Sequence, residues 1–223
     1  MQKFAQELEH LKAQLIEMGD AVESMVVWSG AALVDRHPES MRRVIDGEPR
    51  IDEFQIAIDS EVIRLITVYS PTARDLRFLL MVARINSELE RIGDQSLNNC
   101  EYIQQLPPPA DTTAFRNLRK MSDTTRGMVH DALVTFKDED VGRAQQLVST
   151  DDVVDALYVQ TFRDLLTAGD DPKVIGDSMT MILLARSLER IADHATNICE
   201  EVFYLVKAED IRHRDGDIGR RED

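Results

Sequence analysis

Phe4, Leu8, Leu11, Leu15, Met18, Val22 and Met25 follow one another at alternating intervals of four and three. That is the apolar seam of a helix packed along its whole length. The row continues through Ser29 and Ala32 and meets a stop at His37-Pro38. At about 1.5 Å per residue the predicted rod is roughly 50 Å long. A second segment carries Ile51, Phe54, Ile58, Val62 and Leu65 and ends at Tyr69-Ser70-Pro71. Gly47 and Pro49 predict that this helix begins or bends near them. A third seam runs Phe78, Val82, Ile85, Leu89, Ile92, Ser96 and reaches about Leu106, where Pro107-Pro108-Pro109 stops it. The second half repeats the plan, with helices predicted over roughly 112–137 and 139–168 and a turn at Gly169-Asp170-Asp171-Pro172. A last long helix has the seam Met181, Leu184, Leu188, Ile191, Ala195, Ile198, Val202 and Leu205. No segment sustains a period of two, so no sheet is predicted.

The same letters also recur. Leu89-Glu90-Arg91-Ile92-Gly93-Asp94 returns 99 residues later as Leu188-Glu189-Arg190-Ile191-Ala192-Asp193. Asn98 and Asn197 follow the two glutamates by eight positions, and Cys100 and Cys199 by ten. Repetition at this spacing defines the organisation. The chain reads as all-α: two tandem antiparallel three-helix bundles related by internal duplication. The first covers 1–106, a Pro-rich linker 107–111, and the second 112–208. The charged tail 209–223 has almost nothing to bury and is expected to be disordered or frayed.

Each copy carries carboxylates one helical turn apart. Glu90/Asp94 and Glu189/Asp193 lie beside the seam residues Leu89 and Leu188, at the edge of a packed interface. Glu48/Asp52 and Asp151/Asp155 have the same spacing on the preceding helices. If each hairpin folds back at Ser70-Pro71 or at Asp171-Pro172, Asp52 comes level with about Glu90, Glu48 with about Asp94, Asp155 with about Glu189 and Asp151 with about Asp193. Each repeat then gathers four carboxylates at one level. Pro49 stands inside the first pair, so a bend there displaces Glu48. Four like charges need an offset. Arg50, Arg91 and Arg190 supply one as a salt-bridge network; a bound cation supplies another. All-oxygen donors suit hard cations such as Mg²⁺, Ca²⁺, Mn²⁺ or iron. Asn98 and Asn197 extend each stripe by a turn, and His194 adjoins Asp193 where Gln95 stands in the first copy.

The net charge of −15 excludes a phosphate-backbone partner, which requires a basic face. It favours cations or proteins with basic patches. Met1 to Glu9 lack a signal-peptide core, and no run approaches the roughly 20 apolar residues of a membrane span, so a cytoplasmic protein is expected. Cys100 and Cys199 are expected to be reduced, packed thiols. Di-iron bundle enzymes use Glu-x-x-His pairs on two helices. The only such spacing is Glu7 to His10, away from both clusters, and no nucleophile-base pattern or Gly-rich phosphate loop is present, so the chain is not expected to be an enzyme. A purely structural dimerising bundle with salt-bridged carboxylates is the alternative that needs no ligand.

The doubled motif, Pro71-Thr72-Ala73-Arg74-Asp75-Leu76-Arg77, and Asn197-Ile198-Cys199-Glu200 with Phe203-Tyr204 together resemble the PhoU family, over essentially the whole chain to about His213. The resemblance implies tandem three-helix bundles in a cytoplasmic negative regulator of phosphate uptake and of the phosphate-starvation response. Its implied partners are the high-affinity phosphate ABC transporter and a sensor histidine kinase, and it implies a homodimer. Family members carry paired acidic motifs that bind metal clusters. Residue by residue these fall on Glu48 with Asp52, Glu90 with Asp94, Asp151 with Asp155 and Glu189 with Asp193. Iron, manganese, magnesium and zinc are the candidate metals.

Overall fold

The computed structural model describes residues 2–109, 112–169 and 171–209, and these form six helices and no strand. They are α1 (Gln2–Asp35), α2 (Pro38–Tyr69), α3 (Ala73–Gln105), α4 (Thr113–Asp138), α5 (Val141–Leu166) and α6 (Pro172–Lys207). The tail expectation falls on 210–223, outside the described residues.

The boundaries follow from local chemistry. Asp140 accepts hydrogen bonds from the Gly142 and Arg143 amides, and Asp171 from those of Lys173 and Val174. Each satisfies two otherwise orphaned amides at a helix start. Pro38 and Pro172 occupy first-turn positions, where a missing N–H costs nothing. Four helices end on a left-handed, non-glycine residue: Arg36, Ser70, Glu139 and Ala208. Each returns its N–H to the carbonyl four residues back.

The expected start of the second helix at Gly47 and Pro49 is corrected. That helix begins at Pro38, capped by His37, and continues through Pro49. Pro49 leaves the Ile45 carbonyl without its intrahelical donor. Ile45 and Pro49 are both exposed, so water replaces that donor. Val44 and Ile51 are buried on either side and hold the helix to the core through the break.

The seam residues of α1, α3 and α6 are buried, from Leu11 to Met25, Val82 to Ile92 and Leu184 to Leu205. Phe4, Leu8, Phe54, Phe78 and Met181 are partly buried against them. Cys100 and Cys199 are unpaired, and burial raises both thiols to about 12. Among the described residues no helix is long and apolar enough to cross a membrane.

The two bundles meet along α3 with α6 and along α1 with α4, while α2 and α5 pack only within their own repeats. A Cβ on Gly19 would lie 2.5 Å from a Leu133 methyl, and one on Gly30 2.7 Å from the Ser122 hydroxyl. Absent side chains therefore let α1 and α4 approach closely. At the α3–α6 seam His194 Nδ1 lies 2.7 Å from Glu88 Oε2, and Ser187 Oγ donates to Gln95 Oε1 at 3.0 Å. Glu88 and Ser187 are equivalent positions, 99 apart, as are Gln95 and His194. Equivalent positions thus make reciprocal contacts, which defines antiparallel packing about a pseudo-two-fold axis. One face of the molecule presents α2, α3, α6 and α5 in that order.

Proline in a helix interior is about 3 kcal/mol less favourable than alanine, but restricts the unfolded chain by up to about 1 kcal/mol. Pro49→Ala is therefore expected to stabilise the protein by about 1–2 kcal/mol. A higher urea midpoint at unchanged slope is the measurement; a lower midpoint refutes this account of α2.

Candidate carboxylate sites

In the first repeat the backbone of α3 comes close to α2 at the motif glycine. A Cβ on Gly93 would stand 3.5 Å from Ile51. Gly93 precedes Asp94 and Ile51 precedes Asp52, so this apolar contact sets the acids level. About two turns nearer the hairpin, Asn86 Nδ2 donates to Asp59 Oδ1 at 2.9 Å and to the Gln55 carbonyl at 3.0 Å, fixing the register. The clustering shows in the titration. Burial raises Glu48, helped by Asp52 and Asp94. Burial raises Glu90, helped by Asp94 and Asp52. Burial raises Asp94, helped by Asp52. Pro49 therefore does not remove Glu48 from the site.

The second repeat gathers its four in the same way, but deeper. Burial pushes Asp151 up to about 7, with Asp193, Asp155 and Glu189 adding repulsion. Glu189 is only 8 % exposed. Burial raises it, then Asp193, while Arg186 pulls it down. Burial raises Asp193, then Asp155. Glu189 Oε2 and Asp151 Oδ1 are buried atoms without a hydrogen-bond partner.

The arginines do not form the expected network. Arg50 pairs with Glu17 at 2.6 Å and lies over the Phe54 ring at 5.2 Å. Arg91 pairs with Glu88 at 3.2 Å. Arg190 acts on Glu189 and Asp193 only at a distance. The bonded cation is Arg186, which binds Glu189 Oε1 and covers the Tyr158 ring at 5.8 Å. The first cluster forms no ion pair among the described residues.

His194 and Asn197 are also committed elsewhere. Asn197 Nδ2 donates to Glu88 Oε2 at 3.0 Å, beside the His194 contact. The asparagine that extends the acidic stripe in sequence is thus a clasp between repeats. Glu88 itself was not singled out from sequence, because its value lies in a partner 106 residues away. Burial raises it, but its two hydrogen bonds together with the charges of His194 and Arg91 hold it below the usual carboxylate range.

The eight predicted residues thus fall into two sets of four whose members act on one another electrostatically. Among the described residues no three His, Cys, Asp or Glu side chains close into a metal-holding group. The donor set is nonetheless all-oxygen and under-compensated, with buried orphaned oxygens in the second copy. That is the chemistry of a site for a hard cation or for basic side chains.

A duplicated six-helix protein with two matched carboxylate clusters on one face is the class that this geometry defines. The family model described as "PhoU domain" matches residues 15–103 and again 118–202. The chain belongs to the PhoU family. It is 34 % identical over 216 residues to the phosphate-specific transport system accessory protein PhoU of Edwardsiella tarda, covering 96 % of this chain and 89 % of that protein. The crystal structure of PhoU from Pseudomonas aeruginosa superposes with a TM-score of 0.87 at 32 % identity, covering 92 % of this chain and all of that one. The phosphate transport system regulatory protein PhoU from Streptococcus pneumoniae gives 0.84 at 26 % identity, covering 93 % and 98 %.

The raised carboxyls fix a sign. Between the unfolded value near 3.9 and about 7, Asp151 is protonated when folded and ionised when unfolded. The folded state then binds more protons, so stability falls as pH rises through that window. Asp151→Asn is expected to raise the melting temperature at pH 8 more than at pH 5. Equal shifts at both pH values would refute the assignment.

Proposed function

We propose that this protein is a non-enzymatic, cytoplasmic negative regulator of phosphate uptake and of the phosphate-starvation response. It acts as a homodimeric adaptor between the high-affinity phosphate ABC transporter and a sensor histidine kinase, and its carboxylate clusters bind divalent or transition metal. The observation that carries the reading is the pair of matched, under-compensated clusters on one face of a PhoU-family chain. Relatives that bear the name of a phosphate transport accessory protein support the transport assignment. An adaptor works by preferring one state of its partner, because equal affinity for both shifts nothing.

Glu48, Asp52, Glu90 and Asp94 hold one metal site, and Asp151, Asp155, Glu189 and Asp193 the other. A bound cation supplies the positive charge that neither cluster has in full. The acids must rotate to meet it, since they do not converge into a shell as they stand. In the second cluster Arg186 has to release Glu189 Oε1, while Oε2 is already free to coordinate. Iron, manganese, magnesium and zinc all accept such oxygen donors.

Metal analysis of protein purified without chelator tests the sites. Bound metal is expected, and is expected to disappear in Glu90→Ala/Asp94→Ala/Glu189→Ala/Asp193→Ala. Metal-free protein after growth in supplemented medium would remove the metal from the proposal. Regulation is tested separately. Deleting the gene is expected to switch on alkaline phosphatase in phosphate-rich medium, and continued repression in the deletion strain would sink the regulator reading.

A further inference from the structure

α2 has a second stripe besides its buried seam. Asp52, Ile56, Asp59 and Ile63 follow at intervals of four, three and four. At about 100° per residue they fall within about 60° of arc on one side of the helix. Ile56 and Ile63 are each 67 % exposed. The equivalent residues of α5, 103 positions on, are Asp155, Val159, Phe162 and Leu166. Val159 is 43 %, Phe162 39 % and Leu166 65 % exposed. Both outer helices therefore present an unpartnered heptad stripe to solvent, and each stripe ends at a carboxylate of the cluster beside it. Among the described residues no other helix covers them, since α2 touches only α1 and α3, and α5 only α4 and α6. Scattered single exposed apolar residues need no explanation, but a heptad row repeated at equivalent positions does.

Charge selects the occupant. A second copy docked here would set one group of four under-compensated carboxylates against another, in a chain of net charge −15. An anionic lipid surface meets the same repulsion. A helix with an apolar face and basic residues beyond it meets neither obstacle. Its apolar side chains cover Ile56 and Ile63, or Val159, Phe162 and Leu166, and its arginines or lysines reach the acids one to two turns further on. The span from Ile63 to Asp52 is about 16 Å, so about four turns of helix suffice. We propose that, while the clusters hold no metal, the α2 and α5 stripes are twin docking surfaces for a cationic amphipathic helix of a partner protein. The proposal rests on the adaptor reading for the existence of such a partner, and not on metal binding.

The probe is a fluorescein-labelled amphipathic peptide of about 18 residues, with leucines at heptad spacing and arginines over its last two turns. A matched peptide has glutamates for the arginines. The full chain is expected to bind the arginine peptide at least about tenfold more tightly than the glutamate peptide. Ile56→Asn/Ile63→Asn/Val159→Asn/Leu166→Asn alters only exposed residues, and its fold is checked by circular dichroism. It is expected to lose about tenfold or more in affinity while keeping its net charge. Unchanged binding by this variant would reduce the attraction to non-specific charge and overturn the proposal. So would equal binding of the two peptides, or stripe-dependent binding to anionic vesicles or to a second copy. In cells the variant is expected to behave like the deletion. A deletion that derepresses alkaline phosphatase, with a stripe variant that fully restores repression, defeats the docking surfaces alone. A deletion that stays repressed defeats the adaptor reading.

Discussion

The antiparallel contact of α3 with α6 is the constraint on which the rest of the structure depends. It buries the two copies of one motif against each other's repeat, so that leucine and isoleucine of each copy lie in one continuous core. Because equivalent positions touch reciprocally, the two clusters come to lie level, on opposite flanks of the seam. The clasp of Glu88 with His194 and Asn197 fixes that register on one side, and Ser187 with Gln95 on the other. Removing the seam would leave two three-helix bundles, each with its acids, but no shared face.

Apolar burial also explains why the acids are tolerated. Like charges at neighbouring helix positions cost a few tenths of a kcal/mol per exposed pair, and more when partly buried. A fully buried leucine or isoleucine contributes about 1.5–3 kcal/mol. Leu89, Ile92, Leu188 and Ile191 flank the acids and are all buried. Their burial therefore outweighs the repulsion without a counter-ion, and the bundle can hold charge that remains available to something else. A fully compensated salt-bridge network would leave nothing to recruit.

Much of this was legible in the sequence, for a physical reason. Heptad seams and proline stops are local, and they located all six helices, though the start of α2 lies about ten residues before the glycine and proline that were expected to open it. The register of the two hairpins followed from chain reversal, which is why the acids of each repeat act on one another across the helices. What was not legible depended on side chains far apart in the chain. Arg50 and Arg91 adjoin the acids in sequence, yet Glu17 and Glu88 attract them away. Asn197 continues the acidic stripe in register, yet the seam turns it toward Glu88. Pro49 was read as a start or bend because proline alone breaks a helix. Anchoring by Val44 and Ile51 lets the helix continue past Pro49 instead of starting there, and anchoring is a tertiary effect.

Duplication gives the two sites one plan, but their surroundings have separated them. The first cluster is shallow and without an ion pair among the described residues. The second is deeper, with Arg186 on Glu189 and orphaned oxygens on Glu189 and Asp151. Depth raises the cost of an ionised carboxyl, and it raises equally the gain when a positive charge arrives. The second cluster is therefore the one in which an added positive charge would have the larger effect. His194, held to Glu88 at the seam, acts electrostatically on both Glu90 and Asp193.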